Sequence, residues 1–555
     1  MMKKKIGIDL GTTTTALAEQ QIHVKSEVPT GVMRKVVIDG LETAMLDSVS
    51  WFSPDHDLNP KVGYKAKEEG PVDPQGVIAR DVKRDMGKIV EKRGMSYIEF
   101  ESVNYTPEMI SSYYVENVIL GTGLKAEEID RLTVTVPASF TNEQRIATLT
   151  AVEQAVDRLG PGISVGNVSL LSEPLAALIS YLSEQFKNAS ESGTNYFDID
   201  FQNGSEILVY DLGGGTLDLT LVKVYVEQGL PVEHDNVKCE IKKIGRYNEV
   251  GGTDCDKLIA MDLLRQFEQN HPGFSELQIS KQEAQSKKSI LLNYGEKIKL
   301  AIDEAYSDDD DEIDFPDTVK LDIGGTRYEI DVEYSLDESL TLLDSLLKGP
   351  SSQFFKPVFE LLELDPENYD SSMIPENILL IGGMTEFSYV QDKVKEIFGR
   401  QPLMTPQPQY AVARGAAIYS EMKSRGNEEY NEFAADSYYV WTKSGFKKIL
   451  GRDSIGGDEI ESIHHLGSAT DAFDLKIFAG EDTSDKHLSV DKLSTLVSQG
   501  VTTITLDKQY PKGTDVTLVM KFDDNKIPSI KILVANTLLR DWCKLSDLSA
   551  EEFVA

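Results

Sequence analysis

Two hydrophobic rhythms divide the chain. Beyond residue 437 apolar side chains recur at every second position: Tyr438-Tyr439-Val440-Trp441, then residues 474–478, 502–506, 515–522 and 529–534, with Gly, Asp and Pro between the runs. Alternation at period two puts one face of each strand in a core and the other in water, so this stretch predicts an antiparallel β-sandwich. Upstream, strand-like runs alternate with helical spacing. Residues 132–137 and 167–171 read as strands. Thr141 with Gln144 makes a capping box that opens a helix through Arg145 and Val152. Ser172-Glu173-Pro174 starts a second helix over 175–186, with proline in the first turn, where its missing N–H is tolerated. Asn377 to Ile381 is a continuous apolar run that ends in Gly382-Gly383, and Val390, Val394 and Ile397 follow at 3.6-residue spacing.

One short pattern occurs twice. Ile6-Gly7-Ile8-Asp9-Leu10-Gly11-Thr12-Thr13-Thr14 returns in form as Val209-Tyr210-Asp211-Leu212-Gly213-Gly214-Gly215-Thr216, so that both read D-L-G-x-x-T. β-prone residues precede each aspartate, and each copy predicts a hairpin with a tight turn of small residues. Glycines let backbone N–H groups approach a ligand, and successive N–H groups in such a turn form an anion-binding concavity. An aspartate at a strand end can hold Mg²⁺ through water, because that ion keeps several waters and uses few carboxylates. One copy would be a plain hairpin turn. Two copies, far apart in sequence, point to two related domains facing each other across a nucleotide.

Composition narrows the class. At 555 residues the chain is too long for one domain of about 100–200 residues. Lys and Arg total 56 against 92 Asp and Glu, a formal net charge of −36, which argues against a nucleic-acid binder with its clustered cations. The three cysteines, Cys239, Cys255 and Cys543, are scattered and suit neither a disulfide framework nor a zinc site. Lys3-Lys4-Lys5 begins like a signal peptide, but Asp9 falls where its apolar region should run, and no apolar stretch approaches the ~18 residues of a membrane helix. A cytoplasmic protein without membrane contact is expected.

With these motifs in order, the chain resembles the 70-kDa heat-shock chaperone family of the DnaK type, within the actin-like ATPase superfamily. The resemblance is carried by Gly7 to Thr13, by Val136-Pro137-Ala138-Ser139-Phe140-Thr141-Asn142-Glu143-Gln144-Arg145, by Ser172-Glu173-Pro174-Leu175-Ala176-Ala177, by Tyr210 to Asp218, and by Ala413-Arg414-Gly415-Ala416-Ala417. It runs from Lys5 to about Ser424. It implies an α/β, two-lobed actin-like ATPase over 1–424 (lobes about 1–173 and 174–424), a polar linker over 425–436, and a small antiparallel β-sandwich, like a substrate-binding domain, over 437–555. It implies Lys83, Glu173, Asp211 and Thr216 as the catalytic set, and Asp9, Glu173 and Asp211 as carboxylates holding Mg²⁺ largely through water. Gly11, Thr12, Thr13, Gly213, Gly214 and Gly215 would cradle phosphates. Gly251, Gly252, Gly382 and Gly383 would form nucleotide-contacting turns, Glu296 and Lys299 part of the adenosine pocket, and Pro137 and Arg145 an interdomain relay. The implied function is hydrolysis of ATP to ADP by a positioned water, switching the binding of unfolded or extended peptides, with co-chaperones as further partners. The rival readings are an actin-fold ATPase that acts as a scaffold or assembly protein, and a nucleotide-sensing pseudo-enzyme. A sugar kinase on the same fold fits less well, because it would lack the motif around Pro137 and Arg145.

The chain departs from the family pattern in four places. Leu300 and Glu386 stand where arginines are usual around the adenine, and Asp303 where a serine is usual, so base recognition is expected to differ while phosphate chemistry is kept. The linker lacks a leucine run and ends Phe433-Ala434-Ala435, which puts coupling by that route in doubt. The sandwich resemblance around Phe478-Ala479-Gly480-Glu481 and residues 519–525 is faint. A helical lid is expected to be missing after the apolar stretch Leu538-Leu539-Arg540-Asp541-Trp542, which would make peptide exchange fast. Asp308 to Asp311 reads as a solvated loop, and His464-His465 as a pair at the surface with no metal-ligand partner at useful spacing.

Overall fold

A computed structural model describes residues 3–548, apart from 57–58, 74, 88–97, 195, 247, 314, 316–317, 333, 426–429, 432–433, 435, 444, 455, 481–486 and 489–495. Phe433, Ala435 and much of the expected linker, and Glu481 in the sandwich motif, lie outside the described residues. By contact the chain divides into two units, Met1–Pro137 with Ala147–Tyr430, and Ala138–Ile146 with Asn431–Ala555.

The first unit repeats one sheet plan. In its first six-stranded sheet, Val168–Ser172, Ile129–Val136 and Lys4–Leu10 run parallel, and Lys4–Leu10 turns back antiparallel into Thr14–Ile22, which pairs with Pro29–Met33 and, off the main path, with Met45–Asp47. In the second, Leu403–Met404, Asn377–Ile381 and Ser205–Leu212 are parallel, and Ser205–Leu212 turns back into Leu217–Val226, which pairs in turn with Val237–Ile244. Both D-L-G-x-x-T motifs are therefore hairpins in the same place in equivalent sheets. Register makes one difference visible: Asp9 pairs with Ala16, whereas Asp211 pairs with Asp218.

Helices cover these sheets through small residues. Glu173–Ser192 begins two residues earlier than its apolar spacing predicts, because Pro174 is admitted in the first turn, and it ends where Gly193 takes φ of 64°. Asn142–Leu159 opens with the predicted capping box: the Thr141 N–H donates to Gln144 Oε1 at 3.0 Å, and the Gln144 N–H to Thr141 Oγ1 at 3.5 Å. Ala411–Ser424 lies against both Glu173–Ser192 and the strand Lys4–Leu10. A Cβ on Gly7 would stand 2.1 Å from the Ala417 nitrogen, and one on Gly415 would stand 1.6 Å from the Ala176 carbonyl oxygen. The backbones meet with no room for a methyl group, which fixes where the helix bearing Glu173 starts. Beyond Gly382-Gly383 the chain makes a 3-10 turn, Gly383–Glu386, and the α-helix begins only at Ser388, because Gly382 takes φ of 87° and does not itself enter a helix.

The second unit is a sandwich of antiparallel sheets. One contains His487–Leu488, Gly445–Leu450, Ser437–Thr442, Thr470–Gly480 and Leu496–Tyr510; the other contains Ile460–His465, Asp515–Phe522, Pro528–Val534 and Thr537–Lys544. Inward residues such as Tyr438, Ile477, Ile504, Met520, Ile530 and Ile532 share one core, as period two requires. Residues 538–542, an isolated apolar stretch by sequence, lie within the edge strand Thr537–Lys544. Among the described residues no helix is long and apolar enough to cross a membrane.

The contact at Gly415 generates a stability prediction. Gly415→Ala should lower the first unit's unfolding free energy by about 1–3 kcal/mol, the usual cost of overpacking. Gly166→Ala, whose new methyl would meet only Ser164 Oγ at 3.7 Å, should change it by less than about 0.5 kcal/mol. Urea unfolding of both variants is the check, and equal stabilities would refute the packing account.

Candidate nucleotide site

The two hairpin turns touch. A Cβ on Gly214 would come within 2.2 Å of Thr13 Oγ1, and one on Gly215 within 2.3 Å of Thr12 Cγ2. The glycines of the second turn are thus required by the threonines of the first. The helix Gly252–Asn270 docks on the same turn: the Gly252 N–H donates to the Gly213 carbonyl at 3.0 Å and the Thr253 N–H to the Gly214 carbonyl at 2.6 Å. A Cβ on Gly251 would lie 2.7 Å from the Gly213 carbonyl oxygen, which explains the Gly251-Gly252 pair. Gly382 comes close to the base of the second hairpin, where a Cβ would stand 2.6 Å from Asp211 Oδ1.

Four carboxylates converge behind these turns. Asp9 and Asp211 occupy matching positions near the ends of their strands, Glu173 is the first residue of its helix, and Asp218 faces Asp211 across the hairpin. Glu173, Asp211 and Asp218 are buried, and Lys83 is buried among them, in the 3-10 turn Val82–Asp85. The Lys83 Nζ makes an ion pair with Glu173. Thr135 Oγ1 donates to Asp9 Oδ1 at 3.4 Å. Burial, then repulsion from Glu173, pushes the Asp9 carboxyl up to about 7, although Lys83 and Thr135 pull it back. Burial pushes Asp211 well above the usual carboxylate range, and Glu173, Asp218 and Asp9 add to the effect. Burial alone would lower Lys83, but Glu173 and Asp9 outweigh it and hold the ammonium charged.

Among the described residues Lys83 pairs into this group, and Asp9 and Asp211 stay raised in spite of it. The donors are hard oxygens, which suit Mg²⁺. Among the described residues no group of three or more His, Cys, Asp and Glu side chains could hold a metal ion directly. Carboxylate oxygens of this kind suit an ion that keeps several of its waters.

The neighbouring Arg84 faces the other wall. Its Nε donates to the Gly215 carbonyl at 2.9 Å, its Nη2 donates to the same oxygen, and Nη2 also pairs with Asp254 at 3.3 Å. Farther along, Lys67 bridges Asp47 at 3.0 Å and Glu296 at 2.8 Å, and Lys299 pairs with Asp256 at 2.7 Å. Burial pushes the Asp256 carboxyl up to about 6 against the pull of Lys299. Asp303 accepts the Ser388 N–H at 2.8 Å, so this residue caps the helix Ser388–Phe398.

One cavity gathers most of the residues singled out from sequence. Asp9, Gly11, Thr12, Thr13, Lys83, Glu173, Asp211, the run Gly213 to Thr216, Gly252, Glu296, Lys299, Gly382 and Gly383 all line it. Gly251 sits behind the wall. Pro137 and Arg145 do not line the cavity: Pro137 follows the strand Ile129–Val136, and Arg145 is buried in the first turn of its helix, donating to the Asn525 carbonyl at 3.3 Å. Sequence reading misses Arg84, Asp218, Lys67 and Asp256. Arg84 adjoins Lys83 and Asp218 closes the run from Tyr210, which is a signal that could have found them. Lys67 and Asp256 act through partners too far along the chain for local pattern to signal.

Two hairpins of one design, closing over a shared acid-lined cavity, define an actin-like nucleotide-binding fold. The chain belongs to the Hsp70 family: the model for Hsp70 protein matches residues 5–436. Curated relatives agree. A chaperone protein DnaK of Thermus thermophilus is 28% identical over 438 residues, covering 75% of this chain and 60% of that protein. The DnaK proteins of Thermosipho melanesiensis and Thermotoga neapolitana are each 28% identical, over 418 and 424 residues, covering 74% and 75% of this chain and 58% and 60% of theirs. The matched region thus spans about 60% of the length of these relatives.

The Lys299–Asp256 pair generates a pH prediction. Lys299→Met leaves the Asp256 carboxyl buried without its cation, so its folded pKa rises further above the unfolded value. A raised carboxyl pKa costs stability above that pKa, and the cost disappears as pH falls through it. Urea denaturation should therefore show a loss of about 3–5 kcal/mol at pH 8 and a clearly smaller loss at pH 5. An equal loss at both pH values would contradict the assignment.

Proposed function

We propose that this chain is a Mg²⁺-dependent ATPase of the chaperone type, in which hydrolysis to ADP switches peptide binding by the β unit. The observation that carries the reading is the meeting of two phosphate-type turns over four carboxylates and one buried lysine. Backbone N–H groups and hydroxyls of Gly11, Thr12, Thr13, Gly213, Gly214, Gly215 and Thr216 would cradle the phosphates. Bound through water to Asp9, Glu173 and Asp211, Mg²⁺ would withdraw charge from the phosphate oxygens. Lys83, held by Glu173, directs its ammonium at the γ-phosphoryl, and Asp211 orients the attacking water. Phosphoryl transfer asks for positioning and positive charge rather than a covalent nucleophile, and that is what this residue set supplies. Glu296 and Lys299 would flank the nucleoside, and Gly251, Gly252, Gly382 and Gly383 let backbone approach it.

Pro137 and Arg145 are proposed as the relay between nucleotide and peptide. The relatives named chaperone protein DnaK support chaperone action. Unfolded or extended peptides and co-chaperones are the partners proposed, and the cytoplasm the compartment.

Steady-state hydrolysis with Mg²⁺, with and without an unfolded peptide, tests the reading. ATP should turn over, peptide should raise the rate, and Lys83→Ala should lower kcat by at least about 100-fold, the scale of losing one charge-stabilising donor. Nucleotide binding with no turnover would leave a sensor. Turnover indifferent to every peptide would leave a scaffold or assembly ATPase.

A further inference from the structure

Neighbouring segments hold three consecutive carbonyl groups of the second phosphate turn. The Gly213 carbonyl accepts the Gly252 N–H at 3.0 Å, and the Gly214 carbonyl accepts the Thr253 N–H at 2.6 Å. The Gly215 carbonyl accepts from a side chain instead, Arg84, through Nε at 2.9 Å and through Nη2. In a planar trans peptide the carbonyl and the following N–H point in opposite directions. Among the described residues no peptide bond is cis, so the Thr216 N–H points to the side opposite Arg84. Gly215 and Thr216 line the cavity, and Arg84 is not among the described residues that do. The carbonyl is thus held from behind the wall, and the N–H is turned towards the cavity.

Two of the three clamps are main-chain bonds from the start of the helix Gly252–Asn270. The third is carried by the turn Val82–Asp85, on the residue next to Lys83. The Arg84 side chain is 11% exposed, and its Nη2 also pairs with Asp254 at 3.3 Å. Asp254 Oδ2 in turn accepts the Gly251 N–H at 2.9 Å, at the head of the same helix. One planar guanidinium therefore meets the turn and the carboxylate that caps the helix, and its stem is tied to the segment that bears Lys83. Gly215 has no Cβ and restrains its own peptide little. Without the fork the Gly215–Thr216 peptide is free to turn. A donor held in advance where charge develops needs no reorganisation during reaction.

We propose that Arg84 is a positioning residue for ATP hydrolysis: acting through the Gly215 carbonyl, it keeps the Thr216 N–H aimed at the phosphoryl group that Lys83 faces. The inference rests on the ATPase reading above and deepens it. The test is steady-state hydrolysis of ATP with Mg²⁺ by the full parent chain, Arg84→Met and Arg84→Lys, with urea unfolding to show that each is folded. Arg84→Met should lower kcat and kcat/KM together by about tenfold or more and move KM by less than about threefold, as expected for an interaction made in the transition state. Arg84→Lys keeps the charge and loses the fork, so its kcat should stay within about threefold of that of Arg84→Met. A kcat for Arg84→Met within about twofold of the parent, or a raised KM at unchanged kcat, would overturn the inference. Parent-like turnover by Arg84→Lys would overturn it too, because charge alone would then suffice; that variant decides the matter if Arg84→Met does not fold. A parent chain that binds ADP without turning over ATP would remove the ATPase reading, and the inference with it.

Discussion

The architecture of the first unit turns on a group of carboxylates drawn together out of water. Asp9, Asp211, Asp218 and Glu173 are brought together by strand ends, a hairpin register and a helix start, and Lys83 is the ammonium buried among them. Removing carboxylates from water is expensive unless charge is matched, and here burial and mutual repulsion raise Asp9 and Asp211 in spite of Lys83. Such a group is poorly suited to stability alone. It is well suited to a hydrated divalent cation and the phosphates that travel with it. On the proposed function, a protein of net charge −36 would hold a polyanion through backbone N–H groups, Lys83 and a cation brought with the ligand.

Backbone contact makes this convergence possible. The charges meet because glycines let main chains touch: Gly214 and Gly215 against Thr13 and Thr12, Gly382 against the second hairpin, Gly7 and Gly415 against the helices that set Glu173. Each is a place where a methyl group would push one wall of the cavity away from another. The small-residue motifs are therefore packing requirements as much as ligand contacts.

This also explains what could be read from sequence. The duplicated turn, the capping box at Thr141 and Gln144, and the alternation in the sandwich are local signals, and the structure displays each of them. Arg84, next to Lys83, and Asp218, the last residue of the run from Tyr210, lie within reach, yet their partners depend on tertiary contact and hairpin register. Lys67 with Glu296 and Lys299 with Asp256 join distant segments, so no window of sequence shows them. The role of Asp303 is hidden for the same reason: a departure from the family pattern at the base pocket proves to cap the helix Ser388–Phe398.

On the proposed function the acid group holds a hydrated cation together with nucleotide phosphates. The most direct measurement is the affinity of ADP with Mg²⁺ and with excess chelator, in the parent chain and in an Asp9→Asn, Asp211→Asn variant. The account predicts that ADP binds the parent chain at least about tenfold more tightly with Mg²⁺, and that the variant, with less negative charge to offset, loses most of that difference. Equal affinity with and without Mg²⁺ in the parent chain would contradict it.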